Sequence, residues 1–324
     1  MNASTSPSNG ISTLDQTAGA ANEKLHLCLP ATSANLGPGF DTAALALTLA
    51  LEIDATAASE FAINATGRNT DVCGSLRRNL MLDVYQKTLA ANDAAVTPLA
   101  LEIDNQIPIG MGCGSSAAVR LAGLALANHF GNLGWSRERI LNEAARLEGH
   151  PDNAAACWLG GFTVAAIDSG HVHAVSLAPP PGWQVLLAMP AKPLATATAR
   201  QVLPRNYDQN DAVYNIQRVA LMTAAFATGQ GELLSVAMQD RMHQPYRGEI
   251  CPLLPGLLPL AGTTGILGVA LSGAGPSVLL LLDGSSSLDE IRTRVSTSLP
   301  EPAELIDCGI ESCPAVVKAE IMAK

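Results

Sequence analysis

Residues 108–118 read Pro108-Ile-Gly-Met-Gly-Cys-Gly-Ser-Ser-Ala-Ala118, with glycine at every second position from Gly110 to Gly114. Glycine accepts positive φ and lets a ligand approach the backbone closely. Two serines and a long apolar run follow, so the loop is predicted to open a helix. Because a helix N-terminus presents free N–H groups, it is a natural anion site, and phosphate is its usual guest. Ser115 and Ser116 can add hydroxyl groups to a phosphate or to its magnesium.

The common phosphate motifs fit this loop poorly. A Walker loop ends in Gly-Lys-Ser/Thr, and no lysine is present here. The run from Gly112 to Ala117 satisfies the relaxed dinucleotide pattern G-x-G-x-x-A, which also needs an acidic residue about 20 residues further on. The region around Asn132 offers none before Glu138. A nucleotide phosphate is the favoured guest, while a dinucleotide and a purely structural turn stay open.

Composition excludes several classes of protein. The chain has 324 residues, enough for two domains or one large one, and 48% hydrophobic residues allow a sizeable core. A net charge of -10 with no basic run argues against nucleic acid as a partner. No apolar run reaches the ~18 residues of a membrane helix. Seven scattered cysteines without Cys-x-x-Cys spacing indicate neither zinc nor disulfides and are typical of a cytoplasmic protein.

Hydrophobic periodicity outlines the domains. Residues 1–24 lack periodicity and a secretory pattern, so we expect a disordered tail. Residues 30–41, rich in Gly and Pro, are predicted to be a loop, and residues 79–91 and 136–147 to be helices. Strands and helices mix without strict βαβ alternation, which predicts an α+β fold. We expect domains at 25–170 and 171–324.

Several segments together resemble a known superfamily. The glycine loop resembles the phosphate loop P-x-x-x-G-x-G-S-S-A-A of the GHMP small-molecule kinases, Pro30–Asp41 its first motif and Ser272–Ser277 its third. The resemblance covers residues 25–315. Within the superfamily, the segments at 148–153, 199–204 and 240–247 are similar to the homoserine kinases. Cys113, where leucine is usual, and Ala154, where valine is common, depart from the pattern at apolar positions.

The resemblance implies a fold and a reaction. The fold would be a two-part α+β kinase with a left-handed βαβ unit around the phosphate loop and ATP in the cleft between the halves. The reaction would be Mg²⁺-assisted phosphorylation of the side-chain hydroxyl of L-homoserine by ATP, in threonine biosynthesis. Neither nucleic acid nor a membrane is expected as a partner, and the family allows a homodimer.

Homoserine carries an ammonium, a carboxylate and a hydroxyl group, so its site needs an anion, a cation and hydrogen-bond partners. Asp41 and Asp152 can supply the anion, and Arg200 and Arg247 can clamp the carboxylate. The resemblance assigns the following residues to the substrate: Asn35, Asp41, His150, Asp152, Asn153, Arg200, Arg247, Ser272 and Gly273. It assigns these to the nucleotide: Asn79, Pro108, Gly110, Met111, Gly112, Cys113, Gly114, Ser115 and Ser116.

Magnesium and the proton are the least determined parts of the site. Magnesium prefers hard oxygen ligands; we expect Ser116 and Glu143, with Glu148 as the alternative carboxylate. Asp41, Ser116 and Glu143 are the candidate catalytic residues. Because no lysine lies near a motif to pair with Asp41, direct in-line transfer without a dedicated protein base is favoured. A kinase for another alcohol, such as mevalonate, and a non-catalytic ligand sensor on the same fold remain as alternatives.

Overall fold

The computed structural model describes residues 23–321, which form two β-sheets with helices packed against them. Eleven strands lie within this range. They are β1 Glu23–Asn35, β2 Gly39–Ala57, β3 Ala62–Gly67, β4 Leu99–Asn105, β5 Phe162–Asp168, β6 His171–Leu177, β7 Gln184–Pro190, β8 Ile266–Leu271, β9 Val278–Leu282, β10 Ala303–Cys308 and β11 Val316–Ile321.

The first sheet has seven strands and is built around the 19-residue strand β2. Its main order is β11-β1-β2-β4-β3, and the hairpin β5–β6 extends it from the start of β2. Side chains of a strand alternate between the two faces of the sheet. Leu27, Ile53 and Ile103 therefore form one buried row across β1, β2 and β4. The second sheet has the order β10-β7-β9-β8 and is antiparallel throughout.

The helices cover the sheets and bring the loops between them to one place. They are α1 Thr70–Cys73, α2 Leu80–Ala90, α3 Ser115–Phe130, α4 Arg137–Glu148, α5 Asp152–Leu159, α6 Thr196–Gln201, α7 Gln209–Thr228, α8 Leu234–Ala237, α9 Gln244–Arg247, α10 Leu253–Leu257 and α11 Leu288–Ser298. Helices α2 to α5 pack together on the first sheet. Helices α10 and α11 cover the second sheet with a separate apolar cluster.

The α3 helix is apolar on most of its surface because it is buried against neighbours on several sides. Its buried face includes Leu121, Leu124 and Phe130, and it packs between α2, α4 and β1. The N-terminus of α3 follows directly on the glycine loop, which begins where β4 ends. The loop is thereby fixed at the edge of the first sheet, facing the second.

The α+β prediction is confirmed, and four details need correction. Residues 30–41 are mostly strand, since β1 runs on to Asn35 and β2 starts at Gly39, leaving a three-residue turn. Strands β3, β5 and β11 were not predicted. A boundary after residue 170 would cut the β5–β6 hairpin, whose strands pair from Phe162 with Leu177 to Asp168 with His171. Strand β11 pairs with β1 and so belongs to the first sheet, although it follows the second sheet in the chain.

Two further predictions concern the ends and handedness of elements. Strands β3 and β4 run parallel and are connected through α1 and α2; the left hand of this crossover stays a prediction. The expected tail at residues 1–24 lies outside the described residues, apart from Glu23 and Lys24 at the start of β1. Within residues 23–321, no helix combines the length and the apolar character that crossing a membrane requires.

Candidate active site

A cleft of about 600 Å³ lies between the two halves of the molecule, and most of the predicted site residues line it. One wall is the glycine loop with the first turns of α2 and α3. The floor comes from the β1–β2 turn and the α4–α5 junction. The opposite wall is α6, α9 and the β8–β9 turn. The predicted residues in the lining are Asn35, Asp41, Asn79, Gly110, Gly112, Cys113, Gly114, Ser115, Ser116, His150, Asp152, Asn153, Arg200, Arg247 and Gly273.

The N-terminus of α3 is open toward the cleft. Its N-cap is Gly114, which adopts φ 69° and can offer no side-chain cap to the first-turn N–H groups. The first turn carries no acidic residue that would occupy these donors. Free N–H groups and the positive end of the helix dipole together attract an anion. The geometry thus favours a phosphate at Ser115 and Ser116.

The glycine loop is clamped between both halves of the molecule. Ser272 on the β8–β9 turn donates its hydroxyl to the carbonyl of Gly112 at 2.8 Å. Gly112 has φ 75°, and a Cβ there would lie 2.1 Å from the carbonyl oxygen of Ser272, so only glycine fits. Ser272 was expected to contact the substrate, but its hydroxyl binds the loop and the residue does not line the cleft, so its geometry favours a structural role. The adjacent Gly273 does line the cleft.

The carboxylate beside Ser116 is the alternative, Glu148, and the geometry does not favour the expected Glu143. Ser116 donates its hydroxyl to Glu148 Oε1 at 2.7 Å, and Arg120 donates Nη1 to both oxygens. Glu143 instead accepts from Nε of Arg146 at 2.8 Å, on a face of α4 that does not line the cleft. Five residues separate the two glutamates, a rotation of about 140° around the helix.

Asp41 and Arg200 form a two-pronged ion pair across the cleft. Arg200 donates Nη2 to Asp41 Oδ1 at 2.7 Å and Nη1 to Oδ2 at 3.1 Å. Both side chains are partly exposed to the cleft. In the ligand-free protein the fork predicted to hold the substrate carboxylate thus holds Asp41.

Arg247 is the second predicted clamp and is almost completely buried, with 1% of its surface exposed. It donates Nε to the carbonyl of Ala199 and Nη1 to Nδ1 of His243, while His243 donates Nε2 to the carbonyl of Gly37. Burial first, and the nearby Arg200 second, lower the pKa of Arg247. An anion bound between Arg200 and Arg247 would offset both the burial of the Arg247 charge and the repulsion between the two arginines.

Asp152 and His150 form a second polar pair on the floor of the cleft. His150 donates Nδ1 to Asp152 Oδ1 at 2.6 Å, and the backbone N–H and side-chain amide of Asn153 donate to the same oxygen. Burial lowers the pKa of His150, but the hydrogen bond to Asp152 and the charges of Asp41 and Glu148 outweigh it and raise the pKa overall. The second carboxylate oxygen of Asp152 is left to receive a donor from the cleft.

The side chains of two predicted asparagines form hydrogen bonds with backbone groups. Asn35 donates to the carbonyl of Gly273 at 2.8 Å and accepts from the N–H of Asp41 at 3.0 Å. Asn79 accepts from the N–H groups of Met81 and Leu82 as the N-cap of α2. Both line the cleft. Their geometry indicates that they shape the site, and a contact from either to a ligand stays a prediction.

Two residues of the predicted nucleotide loop lie outside the main cleft, and a third lines it but has a buried thiol. Pro108 and Met111 do not line the main cleft; they line a smaller cavity beside it. Cys113 fills space in the loop: its thiol donates to the carbonyl of Met111, and burial raises its pKa to about 12. A reactive thiolate is excluded at that pKa.

Sequence reasoning missed three residues of the cleft or its support. Arg78 and Arg120 line the cleft, and the buried His243 holds Arg247. Arg120 could have been found from its spacing, since residues i and i+4 share a helix face and Ser116 was already assigned to the ligand. Arg78 and His243 carry no comparable signal.

Two groups of side chains were compared as holders of a divalent cation. Ligand atoms of Asp41, His150 and Asp152 lie within 4.8 Å of one another. In both groups a carboxylate is held by an arginine of the chain, Asp41 by Arg200 and Glu148 by Arg120, so donor type and position decide between them. Ser116 and Glu148 instead present a hydroxyl and a carboxylate oxygen beside the anion site of α3, the hard donors that Mg²⁺ prefers. This second pair fits magnesium.

Comparisons with known proteins show which proteins this chain resembles. A family model for the GHMP kinases N terminal domain matches residues 79–161, and one for the GHMP kinases C terminal domain matches residues 222–301. The homoserine kinase of Solibacter usitatus is 44% identical over 295 residues, which cover 90% of this chain and 96% of that protein. The homoserine kinase of a Synechocystis strain is 36% identical over 88% of this chain and 92% of its own length. The crystal structure of homoserine kinase from Cytophaga hutchinsonii superposes with a TM-score of 0.75 at 22% identity, covering 95% of this chain and 100% of that one, which shows a shared fold.

Proposed function

The chain belongs to the homoserine kinases of the GHMP kinase family, and from that membership we propose how its cleft performs their reaction. It is an enzyme that transfers the γ-phosphoryl group of ATP to the side-chain hydroxyl of L-homoserine, giving O-phospho-L-homoserine for threonine biosynthesis. The observation that carries the residue assignment is the position of the open α3 N-terminus. It lies in one cleft with the Asp41–Arg200 pair, so a phosphate donor and an amino acid can meet there.

The phosphate chain of ATP binds at the glycine loop. The first-turn N–H groups of α3 and the hydroxyl of Ser115 donate to phosphate oxygens, and the helix dipole favours their negative charge. These donors are fixed before the reaction because the loop is clamped by Ser272. Fixed dipoles stabilise the charge that develops in phosphoryl transfer, where catalysis is mostly positioning and electrostatics.

Ser116 and Glu148 would hold the magnesium ion. When bound, Mg²⁺ neutralises charge on the β- and γ-phosphates and helps align the group that is transferred. The support for this assignment is the 2.7 Å contact between Ser116 Oγ and Glu148 Oε1, which brings two hard oxygens together at the phosphate end of the cleft.

L-homoserine binds by replacing the internal ion pair. Its carboxylate takes the fork of Arg200 and approaches Arg247, while its ammonium group takes Asp41 and the free oxygen of Asp152. The two carboxylates and two arginines then remain paired, with no net charge added to the cleft. Mevalonate has a carboxylate but no ammonium group and would leave a carboxylate unpaired, which is costly in a partly buried site. This difference favours homoserine over the mevalonate alternative.

The hydroxyl attacks the γ-phosphorus in line with the departing ADP. Asp41 orients the hydroxyl and the ammonium group. The hydroxyl proton is transferred to an oxygen of the phosphoryl group. Among the described residues, no lysine lines the cleft to pair with Asp41, which supports transfer without a dedicated protein base. Such a reaction needs alignment more than proton abstraction.

A substrate panel tests this function. The full chain is incubated with MgATP and, separately, L-homoserine, mevalonate, L-serine and galactose, and phosphorylated products are identified by ³¹P NMR. We expect O-phosphohomoserine as the main product. Faster phosphorylation of mevalonate would contradict the substrate assignment. Binding of homoserine and MgATP without any product would show a ligand sensor instead.

A further inference from the structure

Arg120 lies at the place that the proposed function gives to magnesium. Its Nη1 donates to both Ser116 Oγ and Glu148 Oε1, the two proposed metal ligands. Only 8% of the Glu148 side chain and 21% of the Arg120 side chain are exposed, so the pair is largely shielded from solvent. In this structure the carboxylate of the proposed metal site is therefore paired with a cation of the chain itself.

The location of Arg120 is unfavourable for a cation unless an anion is present. Arg120 belongs to the second turn of α3, near the positive end of the helix dipole. Arg78 is a second cation that lines the cleft. Glu148 offsets the unfavourable dipole by accepting from Arg120. Magnesium at Glu148 would remove that partner and leave the guanidinium in need of another anion.

ATP supplies such an anion. Arg120 follows Ser116 by four residues and stands one helical turn, about 5.4 Å, from the open N–H groups that we assign to the phosphates. A long arginine side chain can span this distance by changing rotamers. Its planar fork suits phosphate oxygens, which it can bind in a bidentate manner.

We propose that Arg120 is a built-in counter-ion that is exchanged for magnesium when nucleotide binds. In the free protein it holds Ser116 and Glu148 together. When MgATP binds, Arg120 releases the oxygens of Ser116 and Glu148 so that they can bind the metal. The guanidinium group of Arg120 then moves to the phosphates. The inference rests on the proposed function, because it takes the metal ligands and the phosphate site from there. It predicts that free divalent cations bind poorly and that metal and nucleotide bind cooperatively.

The test measures metal binding directly, with Mn²⁺ as the probe and electron paramagnetic resonance as the readout. The full chain and the variant Arg120→Gln are titrated with Mn²⁺ in the absence of nucleotide. The variant should bind Mn²⁺ about tenfold more tightly, because the metal no longer has to break a charge-assisted hydrogen bond. The same variant should bind ATP in EDTA about tenfold more weakly, since the phosphates lose their fork.

Arg146→Gln is the matched control. Arg146 pairs with Glu143 on α4 through a similar contact outside the cleft, so both affinities should stay at the wild-type value. Arg120→Lys serves as a second variant should Arg120→Gln fold poorly by circular dichroism. Lysine keeps the charge, so Mn²⁺ binding should stay weak, but it lacks the fork, so metal-free ATP affinity should fall.

Unchanged Mn²⁺ affinity in Arg120→Gln would overturn the exchange, as would unchanged metal-free ATP affinity in both Arg120 variants. Failure of the proposed function gives a different result. In that case Glu148→Gln would bind Mn²⁺ in the presence of ATP as well as wild type does, or the wild-type chain would release no phosphohomoserine.

Discussion

Ion pairs within the cleft let a zwitterion bind without the large free-energy cost of burying an unpaired charge. Burying new charge is expensive, and a pair that loses one partner is strongly destabilised. Here Asp41 is paired with Arg200, and Asp152 with His150, before any ligand arrives. A substrate with one positive and one negative group can exchange into the Asp41–Arg200 pair without leaving a charge unpaired. The cleft therefore selects an amino acid through charge pairing.

Arg200→Lys should raise the KM for homoserine by about tenfold or more, because an ammonium point charge cannot reproduce two parallel hydrogen bonds to a carboxylate. The KM for ATP should stay near the wild-type value, since Arg200 stands on the substrate side of the cleft. Steady-state titrations of each substrate at saturation of the other measure both constants. Arg205→Lys, outside the cleft, controls for general effects of the exchange. Equal losses for both substrates would assign Arg200 to phosphate instead.

His150 should make the stability of the protein depend on pH in one direction. Its pKa is raised in the folded state, so its contribution is fully present below its unfolded pKa of about 6.5 and is lost as pH rises through the folded value. Wild type and His150→Gln are unfolded with urea at several pH values between pH ~5.5 and ~9. The advantage of wild type should shrink as pH rises. An advantage that grows with pH would contradict the raised pKa.

Residue types located the charged groups of the cleft well and the carboxylate beside Ser116 badly. Asp41, Asp152, Arg200 and Arg247 carry charges that a zwitterion needs, and the fold brings them to one cleft. The choice between Glu143 and Glu148 depended on which face of α4 meets the cleft. That face is set by packing of Leu141 and Ala144 against the core, which the motif alone does not report.

Three loops from distant parts of the chain form one clamp around the phosphate site. The glycine loop follows β4, the first-motif turn joins β1 to β2, and the third motif joins β8 to β9. Asn35 and Ser272 connect them through Gly273 and Gly112. The carbonyl of Ser272 leaves no room for a side chain at Gly112, and that of Gly112 leaves little room at Gly273, which explains the glycines in these two loops. The elements are thus rigid where the reaction needs fixed donors.

Gly112→Ala should abolish nucleotide binding. It should also lower the free energy of unfolding by more than backbone strain alone would. The new Cβ would meet the carbonyl oxygen of Ser272 at 2.1 Å, so the loop must move from its clamp. Gly134→Ala is the matched control, because Gly134 also has positive φ (65°) but open space around it. The control should lose about 1–2 kcal/mol of unfolding free energy from left-handed strain and keep its ATP affinity. Similar ATP affinity in the two variants would contradict the clamp.

The long, capped helices were easier to predict from sequence than the strands at the sheet edges. The apolar spacing after Asn79 and the cap at Ser136 located α2 and α4 to within a residue or two. Strands β3 and β11 lie at edges of the sheet and are mostly exposed, so they lack a clear alternation of apolar residues. Residues 30–41 looked like a loop because glycine and proline are frequent there. Pairing of β1 with β2 overrides that local preference up to Asn35.

The two halves of the molecule meet through buried polar contacts at the cleft. His243 on the C-terminal side accepts from Arg247 and donates Nε2 to the carbonyl of Gly37 on the N-terminal side. Burial lowers the pKa of His243. Asn35 crosses in the other direction to Gly273. Each half thus supplies part of the site, and hydrogen bonds within the site join the two halves. Activity and the docking of the halves should depend on the same hydrogen bonds.

Asn35→Gly tests this coupling, because glycine keeps the positive φ of 70° while removing both side-chain hydrogen bonds. The variant should lose about 1–3 kcal/mol of unfolding free energy, the cost of leaving buried polar groups unpaired. The KM for homoserine should rise as well, because the N–H of Asp41 loses its acceptor and the carboxylate is no longer fixed. Asn132→Gly, also at positive φ but away from the cleft, should change neither quantity by a comparable amount. Urea unfolding and homoserine titrations measure the two effects. A stability loss with unchanged homoserine kinetics would separate the docking of the halves from the chemistry of the cleft and so contradict their coupling.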